Sequence, residues 1–198
     1  AWVALLERLV VDKGKDERDR ITAGSVLWLL FCRSRMADSQ HLIGEPWCSG
    51  NYIGGESDRT KTSNRAGSRL KKQILVDPAM GVTGVDWFPA WSDLGAAKGT
   101  KVSDDQVPMS AQSAGGRWST AAQDGYEFML YLRHLLQKAG AEPISNIGSH
   151  SRKCTCLSLH AKAGVPAEKR ETPGYHTSSA DKSVLCYSRD EFAVLLRS

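Results

Sequence analysis

The chain has 198 residues, 41% hydrophobic and 24% charged, with 26 Lys+Arg against 22 Asp+Glu and a net charge of +4. That length fits one domain, or one domain with an appendage, able to bury a substantial core, and the balance excludes neither a nucleic-acid nor a neutral partner. The longest apolar run, Val26 to Cys32, has seven residues, far short of the roughly 20 needed to span a bilayer. Five cysteines without framework spacing point to a reducing, intracellular setting, and Cys154-x-Cys156 is too tight for a zinc pair, so no metal site is expected.

In chain order, Val3, Leu5, Leu6, Leu9 and Val10 repeat at helical spacing and predict a helix over 2–11. The charged stretch from Asp12 to Arg20 reads as an exposed connection. Thr22 then reads as the N-cap of a second helix that runs through Val26–Cys32, apolar all round and therefore buried on most sides. The chain does not begin with Met, so residues 1–20 are expected to be a helix and linker at the end of an upstream region.

Turn formers follow at Ser49-Gly50-Asn51, Gly54-Gly55 and Asn64-Arg65-Ala66-Gly67. The β-prone segments Tyr52-Ile53, Arg59 to Ser63 and Leu70 to Val76 around them predict a small antiparallel sheet of two or three strands. Residues 58–72 carry Arg59, Lys61, Arg65, Arg69, Lys71 and Lys72 against the single acid Asp58. Such a cluster can face phosphates, and it can equally be a solvated strand surface. Trp87 to Leu94 predicts a short helix. Residues 95–119 read as a long, weakly patterned loop, partly disordered.

Thr120-x-x-Gln123 has the form of a capping box. Phe128, Met129, Leu132, Leu135 and Leu136 continue it as an apolar stripe that Gly140 closes. Residues 151–163 predict a helix stopped by Gly164. Shorter helices are expected at Pro166–Glu171 and within Ser183–Leu196. The expected fold is thus α+β and mainly α, a helical bundle with a small antiparallel sheet.

Four segments stand out together: Arg33-Ser34-Arg35-Met36-Ala37-Asp38; Thr60-Lys61-Thr62; Gly148-Ser149-His150-Ser151-Arg152-Lys153; and Pro173-Gly174-Tyr175-His176 with Tyr187-Ser188-Arg189. In order and spacing they resemble the catalytic domain of the tyrosine recombinase (phage integrase) family over about residues 22–198. Gly174-Tyr175-His176 and Cys186-Tyr187-Ser188-Arg189-Asp190 look like forms found in eukaryotic mobile elements. The resemblance implies an integrase-like catalytic core over 21–198 that performs DNA integration and recombination through a 3′-phosphotyrosine, with no metal or cofactor. It also implies double-stranded DNA and further copies in a synaptic complex as partners, no membrane, and a nuclear location in a eukaryote.

By the same resemblance, Arg35 is the first arginine, with Arg33 as register-shifted competitor, and Asp38 anchors its turn. Lys61 is the general acid, with Lys71 and Lys72 nearby as alternatives. His150 opens the box whose fourth position, normally Arg, is Lys153, and Arg152 stands one residue early. The third box offers Tyr175 or His176, of which His176 is preferred, and Tyr187 is the nucleophile. Arg33, Arg59 and Arg152 are candidate phosphate contacts.

The chemistry explains the residue types. Guanidinium groups hold the non-bridging oxygens of a phosphorane in a planar fork, and fixed positive charge where negative charge develops is the largest catalytic term. A lysine protonates the leaving oxygen and a histidine exchanges the nucleophile's proton. Lys153 departs from the pattern, because lysine supplies charge without the fork. Two other classes of function stand beside the enzyme: a decayed or domesticated integrase-like domain that only binds DNA or protein, which Lys153 and the shifted His176 suggest, and a helical interaction domain with no nucleic-acid role, which the modest net charge of +4 allows.

Overall fold

A computed structural model describes residues 2–32, 36–39, 42–49, 52–57, 72–76, 81–97, 110–112, 118–122, 124–142, 147–148 and 151–166. The chain divides into two compact units, Ala1–Ser145 and Asn146–Ser198. The architecture is α+β and mainly helical, as expected.

In the first unit, α1 (Trp2–Val11) buries Val3, Leu6, Glu7 and Val10, a stripe at intervals of three and four residues. Asp12 accepts from Gly14 N to close the turn that follows. The next helix, α2 (Glu17–Phe31), starts earlier than Thr22. Asp16 is its N-cap, and the Asp16 carboxylate accepts from Arg18 N and Asp19 N. Thr22 is a buried interior residue. A carboxylate cap followed by the acids Glu17 and Asp19 suits the positive end of the helix dipole.

Every residue of α2 from Asp19 to Leu30 is buried. The charged stretch is thus exposed from Asp12 to Glu17, as expected, and only its end enters the buried part of α2, where Asp19 and Arg20 find partners. Arg20 Nε donates to Val10 O (2.9 Å), at the carbonyl end of α1. Asp19 is held by α5, as described below.

The third side of this core is α4 (Trp87–Ala97), whose Pro89 sits in the first turn, where a missing N–H costs nothing. Trp28 stacks on Trp91 (5.8 Å between centroids), Phe31 stacks on Trp87 (5.7 Å), and Phe88 meets Trp87 edge-on. The approach of α2 to α4 depends on Gly24. A Cβ there would fall within 3.0 Å of Cβ, Cγ and Cδ1 of Trp91.

α5 (Gly125–Lys138) buries Phe128, Leu132, Leu135 and Leu136. Its N-cap is Asp124, which accepts from Tyr126 N and Glu127 N, and not Thr120. Residues 118–122 form strand β5 instead. The Ala139 cap and Gly140 at φ 78° end the helix where the sequence places its stop.

The three-stranded antiparallel sheet has the order β1 (Leu42–Ser49), β2 (Tyr52–Ser57), β3 (Lys72–Val76). β1 is hidden from periodicity by Gly44 and Pro46. The pairing is irregular between Ile43 and Trp47, and β1 is an edge strand, the place where a strand tolerates proline. The expected strand at Arg59–Ser63 lies outside the described residues. A second sheet pairs β4 (Ser110–Gln112) with β5 (Trp118–Ala122), so part of the segment read as a loop, 95–119, is strand, and its first residues end α4.

In the second unit, α6 (Ser151–Lys162) buries Cys156, Leu157 and Ala161. Gly164, at φ 78°, terminates it as the sequence predicts. The helices expected at 166–171 and 183–196 lie outside the described residues. No helix among the described residues is long and apolar enough to cross a membrane.

Candidate functional site

α2 is a rod buried from Asp19 to Leu30, whose C-terminal end is pinned by the aromatic contacts of Trp28 and Phe31, with Cys32 as its C-cap. The segment bearing Arg33 and Arg35 begins at the next residue. Both arginines lie outside the described residues. The chain resumes as the single turn α3 (Met36–Ser39), which includes Asp38, and then enters β1.

β2 and β3 pair in register from Ile53↔Val76 to Ser57↔Lys72. The connection that carries Arg59, Lys61 and Lys71 therefore leaves and returns at one end of the sheet. Arg59, Lys61 and Lys71 lie outside the described residues, whereas Lys72 opens β3. His150 also lies outside them and immediately precedes α6. Arg152 and Lys153 fall in the first turn of α6, one turn ahead of the buried Cys156 and Leu157. Tyr175, His176 and Tyr187 lie outside the described residues. The candidates up to His150 are thus located by chain order between known elements, whereas Tyr175, His176 and Tyr187 follow the last of them.

No family model and no curated protein matches this chain.

Two polar groupings that the sequence did not reveal are geometrically complete. In the first, Asp19 on α2 accepts from Tyr131 Oη (2.6 Å) and Lys138 Nζ (2.8 Å) on α5, while Arg18 lies over the Tyr131 ring, 4.2 Å from its centroid. Burial pushes the Asp19 carboxyl up, but the bonds from Lys138 and Tyr131 outweigh it and hold the group below the ordinary carboxylate range. Burial, and then the bond to Asp19, raise the Tyr131 phenol well above the usual tyrosine range. The same carboxylate raises Lys138. Tyr131 and Lys138 are seven residues apart, two turns on one face, a spacing visible in the sequence. Their partner 112 residues away from Tyr131 is not.

In the second, Glu7 on α1 is fully buried. Its carboxylate accepts from Val82 N (2.8 Å), Thr83 N (2.9 Å) and Thr83 Oγ1 (2.6 Å), in the turn that leads into α4. Gly81 sits at φ 58°, where a Cβ would collide with the Glu7 carboxylate. Both groupings bind one element to another, with every acidic oxygen named already engaged by a donor of the chain itself. They act as structural ties. Among the described residues no three His, Cys, Asp or Glu side chains gather as metal ligands.

Proposed function

We propose that this chain is an integrase-like catalytic core that cleaves and rejoins DNA strands through Tyr187. What supports the reading is one ordered framework. A buried helix ends directly before Arg33 and Arg35, an antiparallel β2–β3 pair is joined by the basic connection that carries Lys61, and a helix begins directly after His150 with Arg152 and Lys153 in its first turn. Those are the secondary-structure settings in which the recombinase family carries its first arginine, its lysine and its histidine box.

In this reaction the Tyr187 oxygen attacks a phosphodiester phosphorus. The bond to the 5′-oxygen breaks, that oxygen takes a proton from Lys61, and a 3′-phosphotyrosine remains. A second 5′-hydroxyl then attacks, releases Tyr187 and reseals the strand. Arg35, with Arg152 or Lys153, holds the non-bridging oxygens, and His150 and His176 manage the proton of the nucleophile. Double-stranded DNA is the substrate, and further copies of the chain complete the synaptic complex.

The test is covalent trapping on a nicked suicide duplex. The wild-type chain is expected to form an adduct stable to denaturant, and Tyr187→Phe to abolish it while DNA binding persists. An adduct that survives in Tyr187→Phe rules out Tyr187 as nucleophile. Lys153 in place of the family's arginine favours a second reading, a domain that has kept DNA binding and lost cleavage. On that reading the wild type gives no adduct and Lys153→Arg restores one.

A further inference from the structure

The core takes one side of α5 and leaves the other to solvent. Phe128, Leu132, Leu135 and Leu136 are buried, whereas Tyr126, Glu127, Leu130, His134 and Gln137 are exposed. Two of the exposed side chains are large and apolar, Tyr126 at 71% and Leu130 at 46%. They stand one turn apart, and Leu130 lies directly opposite the buried stripe. An apolar pair at the outward pole of a helix, rimmed by polar side chains, has the composition of a contact surface.

The polar rim selects the partner. Glu127 and Arg133 lie three residues on either side of Leu130, and Tyr126 and His134 lie four residues on either side. At about 100° per residue, Glu127 and His134 share one flank of the outward face, and Tyr126 and Arg133 share the other. A two-fold axis at Leu130, perpendicular to the helix, lays a second α5 antiparallel on the first. It brings Leu130 against Leu130 of the partner copy. On one flank it sets the Glu127 carboxylate beside the imidazole of the partner copy's His134. On the other it sets the Tyr126 ring beside the guanidinium of the partner copy's Arg133. Each of these contacts then occurs twice, as a two-fold interface requires, and the two helix dipoles run in opposite senses. A parallel pairing would align the dipoles and set His134 against Arg133, two basic groups. We propose that the outward face of α5 is a self-association surface on which two copies of this chain meet antiparallel about Leu130. The strand-transfer reading requires copies that meet. This surface brings them together without DNA, and it rests on α5 alone.

The experiment is sedimentation equilibrium of the full chain without DNA, over a dilution series through the micromolar range. One helix pair covers less than the ~1,200 Å² at which stable complexes begin, so a weak dimer is expected, with a dissociation constant of about micromolar or above. Leu130→Asp should weaken the dimer about tenfold or more. Because Leu130 is exposed, the circular dichroism of that variant should match wild type. Glu127→Lys sets a cation against His134 and His134→Glu sets two carboxylates together, so each should weaken the dimer. The double variant, which exchanges the two partners, should recover most of the loss. A chain that stays monomeric throughout the series overturns the surface. So does a dimer that Leu130→Asp leaves intact, or a loss in both single charge variants that the double variant does not recover. None of these results touches the covalent adduct at Tyr187, which stands or falls by its own trapping assay.

Discussion

Gly24→Ala sets two effects of opposite sign against each other. Within a helix, alanine is favoured over glycine by about 1 kcal/mol, so an α2 that merely lay near α4 would be stabilised. The geometry predicts the reverse, because the new methyl would fall within 3.0 Å of three atoms of Trp91. Trp91 cannot swing aside without disturbing Trp28, Trp87 and Phe88, whose rings lie 5.8–6.3 Å from its own. Overpacking of a filled core costs about 1–3 kcal/mol, and a clash with a ring confined by three others belongs at or above the top of that range. The net expectation is a loss of about 2 kcal/mol, which for a chain of this size lowers the melting temperature by about 4–8 °C. Thermal unfolding followed by circular dichroism measures it. A companion double-mutant cycle with Trp91→Leu should show that Gly24→Ala costs less once the indole is gone, with a coupling of about 0.5–3 kcal/mol. A Gly24→Ala protein that melts at or above the wild-type temperature would refute the α2–α4 packing on which the core rests.

Other ties yield to the same treatment. Glu7→Ala strips the acceptor from Val82 N, Thr83 N and Thr83 Oγ1 and should cost about 2–4 kcal/mol in urea unfolding, whereas Glu7→Gln, which keeps an acceptor, should cost less. Asp124→Ala removes the α5 cap and should cost about 1 kcal/mol, while Thr120→Ala should not reproduce that loss. Asp19 contributes stability that is present above the ordinary carboxyl range, about 3.9, and is lost as pH falls through its depressed folded value. Lys138 and Tyr131, both raised, contribute stability that is complete below their ordinary ranges and fades as pH rises beyond them. Asp19→Asn should flatten both limbs in denaturation series at acid, neutral and alkaline pH, and limbs unchanged from wild type would show that the Asp19 cluster does not tie α2 to α5.

The helices that close on their own were legible from the chain alone. α1 and α6 carry their apolar spacing and their stops in consecutive residues, and Gly140 and Gly164 end α5 and α6 at the positive φ that favours glycine. The apolar run in α2 announced its burial. What local reading misplaced was decided by partners distant in sequence or by competing local patterns. Thr120-x-x-Gln123 has the letters of a cap, yet residues 118–122 pair with β4 and the cap falls to Asp124. β1 has too broken a pattern to be read, and exists because β2 offers it a ladder.

The candidate catalytic residues rest on the resemblance of short motifs, and of them only Arg152 and Lys153, in the first turn of α6, lie in a described element. Composition and periodicity by themselves determined a mainly helical α+β chain with a small sheet, since those patterns depend on neighbours two to four residues away. Only the tertiary structure decided that charged residues at 7, 19 and 20 are interior ones. Burying a charge requires donors or acceptors at fixed positions, and those at Val82, Thr83, Tyr131, Lys138 and Val10 come into reach only when the helices pack.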